Sequence, residues 1–234
     1  MSIEIVEVRE AFPGIYEIEF EDGKTKLATR NLVPGVKVYG ERLYRYQGVE
    51  YREWSPYRSK LAAAIINGLK EVNISEGSRI LYLGIASGTT ASHISDIIGS
   101  KGIIYGIEFA PRPLRDLIKV AEARKNIIPL LKDARLPQEY SYIGEDVDIL
   151  YADLAQPNQA EIFIKNARMF LKRGGIGFIA IKARSIDVTR PPEEIFEDQK
   201  RILKEEGGFK VVEEVRLDPY ARDHIMFRMI FEKP

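Results

Sequence analysis

The chain has 234 residues, 45% of them hydrophobic and 30% charged, a size and balance typical of a globular protein with one large domain or a large and a small one. It has no cysteine, which excludes disulfides, thiolate metal sites and a cysteine nucleophile and favours a cytoplasmic protein. Basic and acidic residues both number 35, and a net charge of zero argues against a protein that binds nucleic acid tightly by itself.

The first 54 residues carry the alternating patterns of half-buried strands. The alternating segments are residues 3–8, 15–20 and 25–30 and the aromatic stretch from Tyr39 to Tyr51. Turn-forming pairs separate them at Pro13-Gly14, Asp22-Gly23 and Pro34-Gly35. We predict a small antiparallel β domain over residues 1–54 and a second domain over residues 55–234.

The pattern becomes helical after Trp54. We predict that Ser55 caps this helix and that Pro56 is its first residue, since both types are favoured there. Residues 57–70 then place apolar side chains on one helical face.

Apolar runs alternate with helical patterns in the rest of the chain, which predicts a mostly parallel sheet covered on both faces. The runs are residues 79–83, 103–107, 127–131, 147–151 and 176–181. After a helix near 191–206, two strand patterns at 209–217 and 224–232 are joined by a short loop, so this last pair should be antiparallel. The fold class is therefore α/β, with a Rossmann-like sheet that ends in an antiparallel hairpin.

Ligands of such sheets bind at the carboxyl ends of the strands, so the residues just after each run are candidates. After the first run, Gly84 and Gly88 bend the main chain, and Thr89 or Thr90 opens a helix whose amino terminus favours a carboxylate. An ordinary strand–helix turn explains the same pattern. The dinucleotide fingerprint G-x-G-x-x-G is absent, which argues against a nicotinamide oxidoreductase.

Polar residues also follow the next three runs. Glu108 lies twenty residues after Gly88, the spacing at which a carboxylate meets a ribose diol, and Phe109 is placed to stack on adenine. Asp133 is a candidate acceptor for the adenine amino group, although such an aspartate is more often a helix cap. Asp153 follows the fourth run without the Asn/Asp-Pro-Pro-aromatic motif of enzymes that methylate base amines.

Four runs of the chain resemble the fibrillarin family, and the resemblance extends from the β domain to the closing hairpin. They are G-I-A-S-G-T-T-A-S-H from residue 84, G-I-E-F-A-P-R from 106, K-D-A-R-L-P from 132 and A-D-L-A-Q-P from 152. Eukaryotic members have a Gly/Arg-rich amino-terminal extension, so the archaeal type fits. The family's cofactor is S-adenosylmethionine, and the resemblance implies contacts from Thr89, Thr90, Glu108, Phe109, Asp133, Ala134, Asp153, Leu154, Ala155 and Gln156.

Methyl transfer to a hydroxyl needs an aligned acceptor and a group that takes its proton. Lys182 ends the strand at 176–181 and is the first candidate base, although a lysine at a strand end is usually solvated. Lys60 lies in the opening turns of its helix, where the helix dipole disfavours a positive charge. A role such as holding the substrate backbone would explain this position, as would a side chain that simply extends into water. His224 could orient the acceptor or be structural, and His93 is interpreted as a packing residue or a residue on the surface of its helix. Ribose methyltransferases of this fold often use a Lys-Asp-Lys set with one more polar residue, here Lys60, Asp153, Lys182 and His224.

The aromatic stretch from Tyr39 to Arg58 alternates tyrosines with arginines, which suits RNA stacking, a protein interface or a core between domains. We favour the core.

The resemblance further implies a catalytic subunit of a box C/D guide ribonucleoprotein that methylates ribose 2′-hydroxyls of rRNA and, as a further substrate, tRNA. Its partners would be a Nop-type scaffold protein, a kink-turn-binding ribosomal-protein-like subunit and a guide RNA. Two alternatives stay open: a methyltransferase that acts on protein or a small molecule, and a non-catalytic scaffold of an RNA particle.

Overall fold

The computed structural model describes residues 4–232 and contains two sheets. The first sheet is antiparallel, in the order β1-β2-β3-β5-β4. Its strands are β1 (Ile5–Phe12), β2 (Ile15–Phe20), β3 (Thr25–Arg30), β4 (Leu43–Tyr46) and β5 (Val49–Glu53). Residue 3, where the first strand was predicted to begin, lies outside the described residues. The predicted domain boundary falls between this sheet and the next helix, and it stays a prediction.

The second sheet has the order β11-β12-β10-β9-β6-β7-β8. Its strands are β6 (Arg79–Leu83), β7 (Ile103–Glu108), β8 (Ile127–Leu131), β9 (Val147–Ala152), β10 (Leu171–Lys182), β11 (Phe209–Arg216) and β12 (His224–Phe231). Strands β6 to β10 pair in parallel, whereas β12 is antiparallel to both β10 and β11. The predicted parallel sheet with a closing hairpin is confirmed.

Six α-helices accompany the strands: α1 (Lys60–Ile66), α2 (Thr89–Ile98), α3 (Pro111–Ala123), α4 (Gln159–Phe170), α5 (Ala183–Ile186) and α6 (Pro192–Glu205). Successive residues of a strand point to opposite faces, so Ile80 and Tyr82 join the core cluster under α1, α2 and α3, while Leu81 and Leu83 join the one under α4 and α6. No helix within residues 4–232 is long and apolar enough to cross a bilayer.

The predicted start of the first helix is wrong. Residues 55–58 form a turn in which the amide of Arg58 donates to the carbonyl of Ser55 at 3.1 Å. Helix α1 begins only at Lys60, because Ser59 is the residue whose side chain accepts from the Ala62 amide, at 3.3 Å. Residues 57–59 and 67–70, predicted as helical, lie outside α1.

A buried charge cluster, made of Glu41, Arg52, Asp96 and Arg124, joins the first sheet to α2 and the end of α3. Arg52 contacts Glu41 at 2.6 Å and Asp96 at 2.8 Å. Arg124 contacts the other oxygen of Asp96 at 2.5 Å. Burial acts to raise the pKa of Glu41, but Arg52 and two backbone amides outweigh it and lower that pKa. Every charge here has a partner, as buried charges require.

His93 of α2 packs beside this cluster and is fully buried. Its ring stacks on Trp54 with centroids 4.9 Å apart and also contacts the edge of Tyr39. Nδ1 is 2.7 Å from the Thr29 hydroxyl, and Nε2 is 2.8 Å from the Tyr39 hydroxyl. The packing interpretation of His93 is therefore confirmed, as is a core position for Trp54, whereas Tyr39 is half-buried. Tyr57 differs, because it is 71% exposed.

Candidate active site

The turn after β6 brings bare main chain to the carboxyl edge of the second sheet. Gly84 has φ +72°, and a Cβ there would lie 2.3 Å from the carbonyl oxygen of Asp153. Gly88 has φ +88° and caps α2, where a Cβ would lie 2.7 Å from Leu117. Both positions require glycine, for conformation and for space. Helix α2 begins at Thr89, as predicted.

Glu108 ends β7, where it is 7% exposed. One carboxylate oxygen accepts from the amide of Ala86 at 3.0 Å, and the other accepts from the amide of Ala110 at 2.8 Å. These two bonds fix the carboxylate and leave further lone pairs on each oxygen. The neighbouring ring of Phe109 is 62% exposed. A fixed acceptor and an open aromatic face therefore lie side by side.

A cleft of about 270 Å³ lies at this edge, and its walls come from the ends of β6, β7, β8 and β9. The lining residues are Gly84, Ala86, Ile107, Glu108, Phe109, Lys132, Ala134, Asp153, Leu154, Ala155 and Gln156. A fixed carboxylate, an exposed aromatic ring and the bare main chain at Gly84 suit a ligand made of a ribose diol and a purine. The cleft therefore fits the nucleoside part of S-adenosylmethionine.

Four predicted cofactor residues are not in the lining: Gly88, Thr89, Thr90 and Asp133. Thr90 is buried, and its hydroxyl donates to Ser59 at 3.0 Å. The Asp133 carboxylate is held by its neighbour Arg135, whose Nη2 lies 2.6 Å away and lowers the pKa of the acid. Asp133 therefore reaches an adenine amino group only if it shares its oxygens with Arg135.

Lys60 and Asp153 form an ion pair next to the cleft. The ammonium of Lys60 lies 2.6 and 2.7 Å from the two carboxylate oxygens, and both side chains are about a quarter exposed, at 24% and 27%. The amide of Asp153 donates to the carbonyl of Leu83 at 3.0 Å, which ties the end of β9 to the end of β6. The pair thus joins the first residue of α1 to the centre of the sheet edge.

Lys182 and His224 face each other across the pairing of β10 with β12. Directly opposed residues of an antiparallel pair have neighbouring side chains. Lys182 has no salt-bridge partner among residues 4–232. Its main chain is held by the buried side chain of Gln159, which accepts from the Lys182 amide at 3.0 Å and donates to the Lys182 carbonyl at 3.2 Å.

His224 has one ring nitrogen engaged and one available. Nδ1 lies 2.7 Å from the carbonyl oxygen of Arg222, so it must donate its proton, and neutral His224 then carries its free lone pair on Nε2. Burial lowers the pKa of His224, and the charges of Lys60 and Lys182 act in the same direction. Lys60, Asp153, Lys182 and His224 lie together, and we call them the carboxyl-edge cluster.

The fibrillarin family model matches residues 6–233 of the chain. The chain belongs to the fibrillarin family. It is 56% identical over 233 residues to the fibrillarin-like rRNA/tRNA 2′-O-methyltransferase of Aeropyrum pernix, covering 99% of this chain and 100% of that protein.

Two solved structures give the same family. The fibrillarin of Aeropyrum pernix, solved in complex with natively bound S-adenosyl-L-methionine, matches with a TM-score of 0.90 and 56% identity over 97% of this chain and 99% of that one. A fibrillarin/Nop5p complex matches with a TM-score of 0.82 and 45% identity over 94% and 99% of the two chains.

The site of this fibrillarin-family chain includes residues that the sequence patterns did not single out. Gln159 is one, since nothing in its local sequence indicates that its side chain binds the main chain of Lys182 at the end of β10. Tyr82 and Tyr151 are two more, and their buried rings lie 4.5 Å apart. Burial raises the pKa of both phenols, and the charge of Asp153 raises them further. The sequence did offer a signal for these two tyrosines, because each is the next-to-last residue of a strand that ends at the carboxyl edge.

Proposed function

We propose that this chain transfers the methyl group of S-adenosylmethionine to a ribose 2′-hydroxyl of RNA. The observation that carries the proposal is the convergence of Lys60, Asp153, Lys182 and His224 beside a cleft that fits a nucleoside. Family membership supports it, because the relative from Aeropyrum pernix carries the name of an rRNA/tRNA 2′-O-methyltransferase. A related fibrillarin also holds S-adenosyl-L-methionine.

On the cofactor side, we assign Glu108 to the ribose hydroxyls, since its carboxylate is fixed by the amides of Ala86 and Ala110 and keeps lone pairs for two more donors. Phe109 packs on the adenine ring. The main chain at Gly84 allows close approach, and the amino terminus of α2 at Thr89 and Thr90 faces a carboxylate. The rest of the cleft wall comes from four further residues that we assign to the cofactor: Ala134, Leu154, Ala155 and Gln156. When bound, S-adenosylmethionine supplies a methyl sulfonium that is already electrophilic.

On the acceptor side, the protein mainly aligns the hydroxyl and removes its proton. Lys182 is assigned as the base, because no carboxylate within residues 4–232 engages its amine. Asp153 holds Lys60, whose ammonium is then placed to contact the substrate backbone. His224 lies directly opposite Lys182 and is assigned to orient the acceptor ribose, while the single proton of the 2′-hydroxyl goes to Lys182.

The partners follow from charge and from family. Net charge zero gives weak attraction for phosphates, so other components must supply most of the RNA affinity. The solved fibrillarin/Nop5p complex supports a Nop-type scaffold as one of them. We assign a kink-turn-binding subunit and a box C/D guide RNA as the others. Guide pairing selects the site, and an A-form duplex displays its 2′-hydroxyls along a shallow minor groove.

Stepwise reconstitution tests this function. The chain is incubated with labelled S-adenosylmethionine and a target RNA, first alone and then with scaffold, kink-turn subunit and guide RNA added one at a time. We expect cofactor binding by the chain alone and site-specific 2′-O-methylation only in the complete assembly. Efficient, site-specific methylation of unguided RNA by the chain alone would overturn the role of the partners. Label transferred to protein or metabolite pools instead of RNA would overturn the RNA substrate.

A further inference from the structure

Two tyrosines that lie close in the chain to residues of the carboxyl-edge cluster contact each other. Tyr57 comes three residues before Lys60, and Tyr220 comes four residues before His224. Their rings contact each other edge to face, with centroids 5.0 Å apart and an interplanar angle of 80°. Tyr57 is the most exposed large hydrophobic residue described, at 71%. The pair forms one wall of a cleft of about 400 Å³.

This wall is held in place by hydrogen bonds between α1 and the loop after β11. The side-chain amide of Asn67 donates to the carbonyls of Arg216 and Asp218, at 2.7 and 2.8 Å. The loop closes on itself where the amide of Tyr220 donates to the carbonyl of Leu217 at 2.9 Å. The surface is therefore built in advance of any ligand, which lowers the cost of ordering it.

Two arginines complete the surface. Arg58 and Arg222 are exposed, and neither has a carboxylate partner in the part of the chain that the structure describes. The Arg222 carbonyl is the group that accepts from His224, so this arginine is tied to the cluster. Nearby carboxylates are already engaged, in the pairs Asp153–Lys60, Asp218–Arg216 and Asp223–Arg184. The two carboxylates that line the same cleft, Glu17 and Glu53, are paired with Arg9 and Lys26. The uncompensated charge of the surface is therefore positive.

We propose that Tyr57, Arg58, Tyr220 and Arg222 form a face that binds the RNA strand carrying the acceptor ribose. This inference rests on the proposed function and assigns the neighbouring nucleotides of the same substrate. The tyrosine rings pack against riboses and base edges next to the acceptor, and the guanidinium groups contact the phosphates. Arg58 also lies over the ring of Tyr39, 5.7 Å from its centroid, which leaves its guanidinium edge for a phosphate. Because Arg222 adjoins His224, the position of the face beside the acceptor side favours RNA over a protein partner.

The test uses the fully reconstituted assembly, with a box C/D guide RNA and a complementary target RNA oligonucleotide as the probe. The variants are Arg58→Ala, Arg222→Ala and Tyr57→Ala. Arg173→Ala is the matched control, because Arg173 is exposed at the opposite end of β10. Methyl transfer is measured as kcat and KM for target RNA over a series of salt concentrations, with S-adenosylmethionine affinity measured by calorimetry.

For each arginine variant we expect a higher KM for RNA and a salt slope smaller by about one. Tyr57→Ala should raise KM roughly tenfold through lost stacking, and Tyr57→Phe should recover most of this loss. Cofactor affinity should stay at the wild-type value in all of them, which also shows that the variants fold.

Three results would overturn the inference. If the arginine variants match Arg173→Ala in KM and salt slope while the wild type methylates its target, the RNA face is wrong and the proposed function stands. If the variants instead lose affinity for the Nop-type scaffold in the absence of RNA, the face belongs to a protein interface. If the wild-type assembly transfers no methyl group to the 2′-hydroxyl, the proposed function fails and the inference falls with it.

Discussion

Two groups of charged side chains in this molecule contrast in how completely they are satisfied. In the buried charge cluster, the side chains of Arg52, Asp96 and Arg124 are 0% exposed, and Asp96 accepts from both arginines. In the carboxyl-edge cluster, Lys60 and Asp153 are about a quarter exposed, and Lys182 has no carboxylate partner among the described residues. Each charge of the first cluster has an ion-pair partner inside the protein, whereas the second cluster has an open amine.

The two histidines of the chain follow the same contrast. Both ring nitrogens of His93 are engaged, by Thr29 and Tyr39, and burial and two arginines lower its pKa well below the usual value. His224 uses one nitrogen and keeps the other available. Residue type therefore does not separate the two histidines, whereas the number of engaged ring nitrogens does.

The contrast predicts that removing the open amine abolishes chemistry without affecting folding. Lys182→Ala should lower methyl transfer at saturating RNA by at least about a hundredfold, the lower range for loss of a general base. Affinity for S-adenosylmethionine should stay near the wild-type value in calorimetric titration. Lys172→Ala, at the other end of β10, is the control. Normal turnover in Lys182→Ala would reject the assignment, and a matching loss of cofactor affinity would make Lys182 a cofactor residue.

Removing a charge from the buried cluster should have the opposite outcome. Asp96→Ala leaves Arg52 and Arg124 buried without their shared carboxylate, so the free energy of unfolding should fall by about 3–5 kcal/mol. Urea titration measures this. Asp116→Ala, which removes an exposed ion pair with Lys119, should change stability by no more than about 0.5 kcal/mol. Equal effects of the two substitutions would contradict the distinction between the clusters.

A substitution of Glu108 tests the assignment of the cleft to the cofactor. Glu108→Ala should weaken S-adenosylmethionine binding by about 1.5–3 kcal/mol, because hydrogen bonds to a charged acceptor are lost. The substitution also frees the amides of Ala86 and Ala110, so a melting curve must accompany the titration. Glu122→Ala, an exposed glutamate at the end of α3, should leave affinity unchanged. An unchanged affinity in Glu108→Ala would remove Glu108 from the site.

The smallest expected effect is a pH dependence of stability from His93. An unfolded histidine has a pKa of about 6.5, and the pKa of folded His93 lies well below this. Below pH 6.5 the unfolded chain therefore binds a proton that the folded chain does not. Stability should fall with decreasing pH, with a slope approaching about 1.4 kcal/mol per pH unit.

His93→Gln should remove this slope between pH 7 and pH 5, although the variant is less stable at every pH. The quantity to compare is the difference between the wild-type and variant curves, obtained from urea titrations at each pH. Two parallel curves would show that His93 does not titrate in this range.

The sequence predicted the sheet better than the helix beside it. Period-two patterns predicted β2 and β3 with their observed ends, and apolar runs predicted β6 and β8 with theirs. Burial on one face of a strand imposes the first kind of pattern, and burial on both faces imposes the second. The start of α1 was wrong because Ser55 and Ser59 are equally good caps by type. Only the turn at residues 55–58 decides between them.

Sequence also predicted which residues meet at the carboxyl edge, because Asp153, Lys182 and His224 each adjoin the end of a strand. It did not predict the buried charge cluster. Its contacts join Arg52 to Asp96 and Arg124 to Asn31, and the second pair is separated by 93 positions. No local pattern encodes such contacts. The pairing of Asp133 with Arg135 was also missed, although these residues are only two positions apart. Whether two such neighbours meet depends on the side-chain rotamer of Arg135, which the sequence does not specify.

Strand β12 lies between β10 and β11, although it follows both in the chain. During synthesis, β11 leaves the ribosome first and has no neighbour in the sheet until β12 arrives. The same strand carries His224, which meets Lys182 only when β12 pairs with β10. The strands that line the cofactor cleft all precede β10 in the chain. The cleft and the pairing that sets Lys182 opposite His224 are therefore built from separate parts of the sequence, and a chain that ends before β12 has the first without the second.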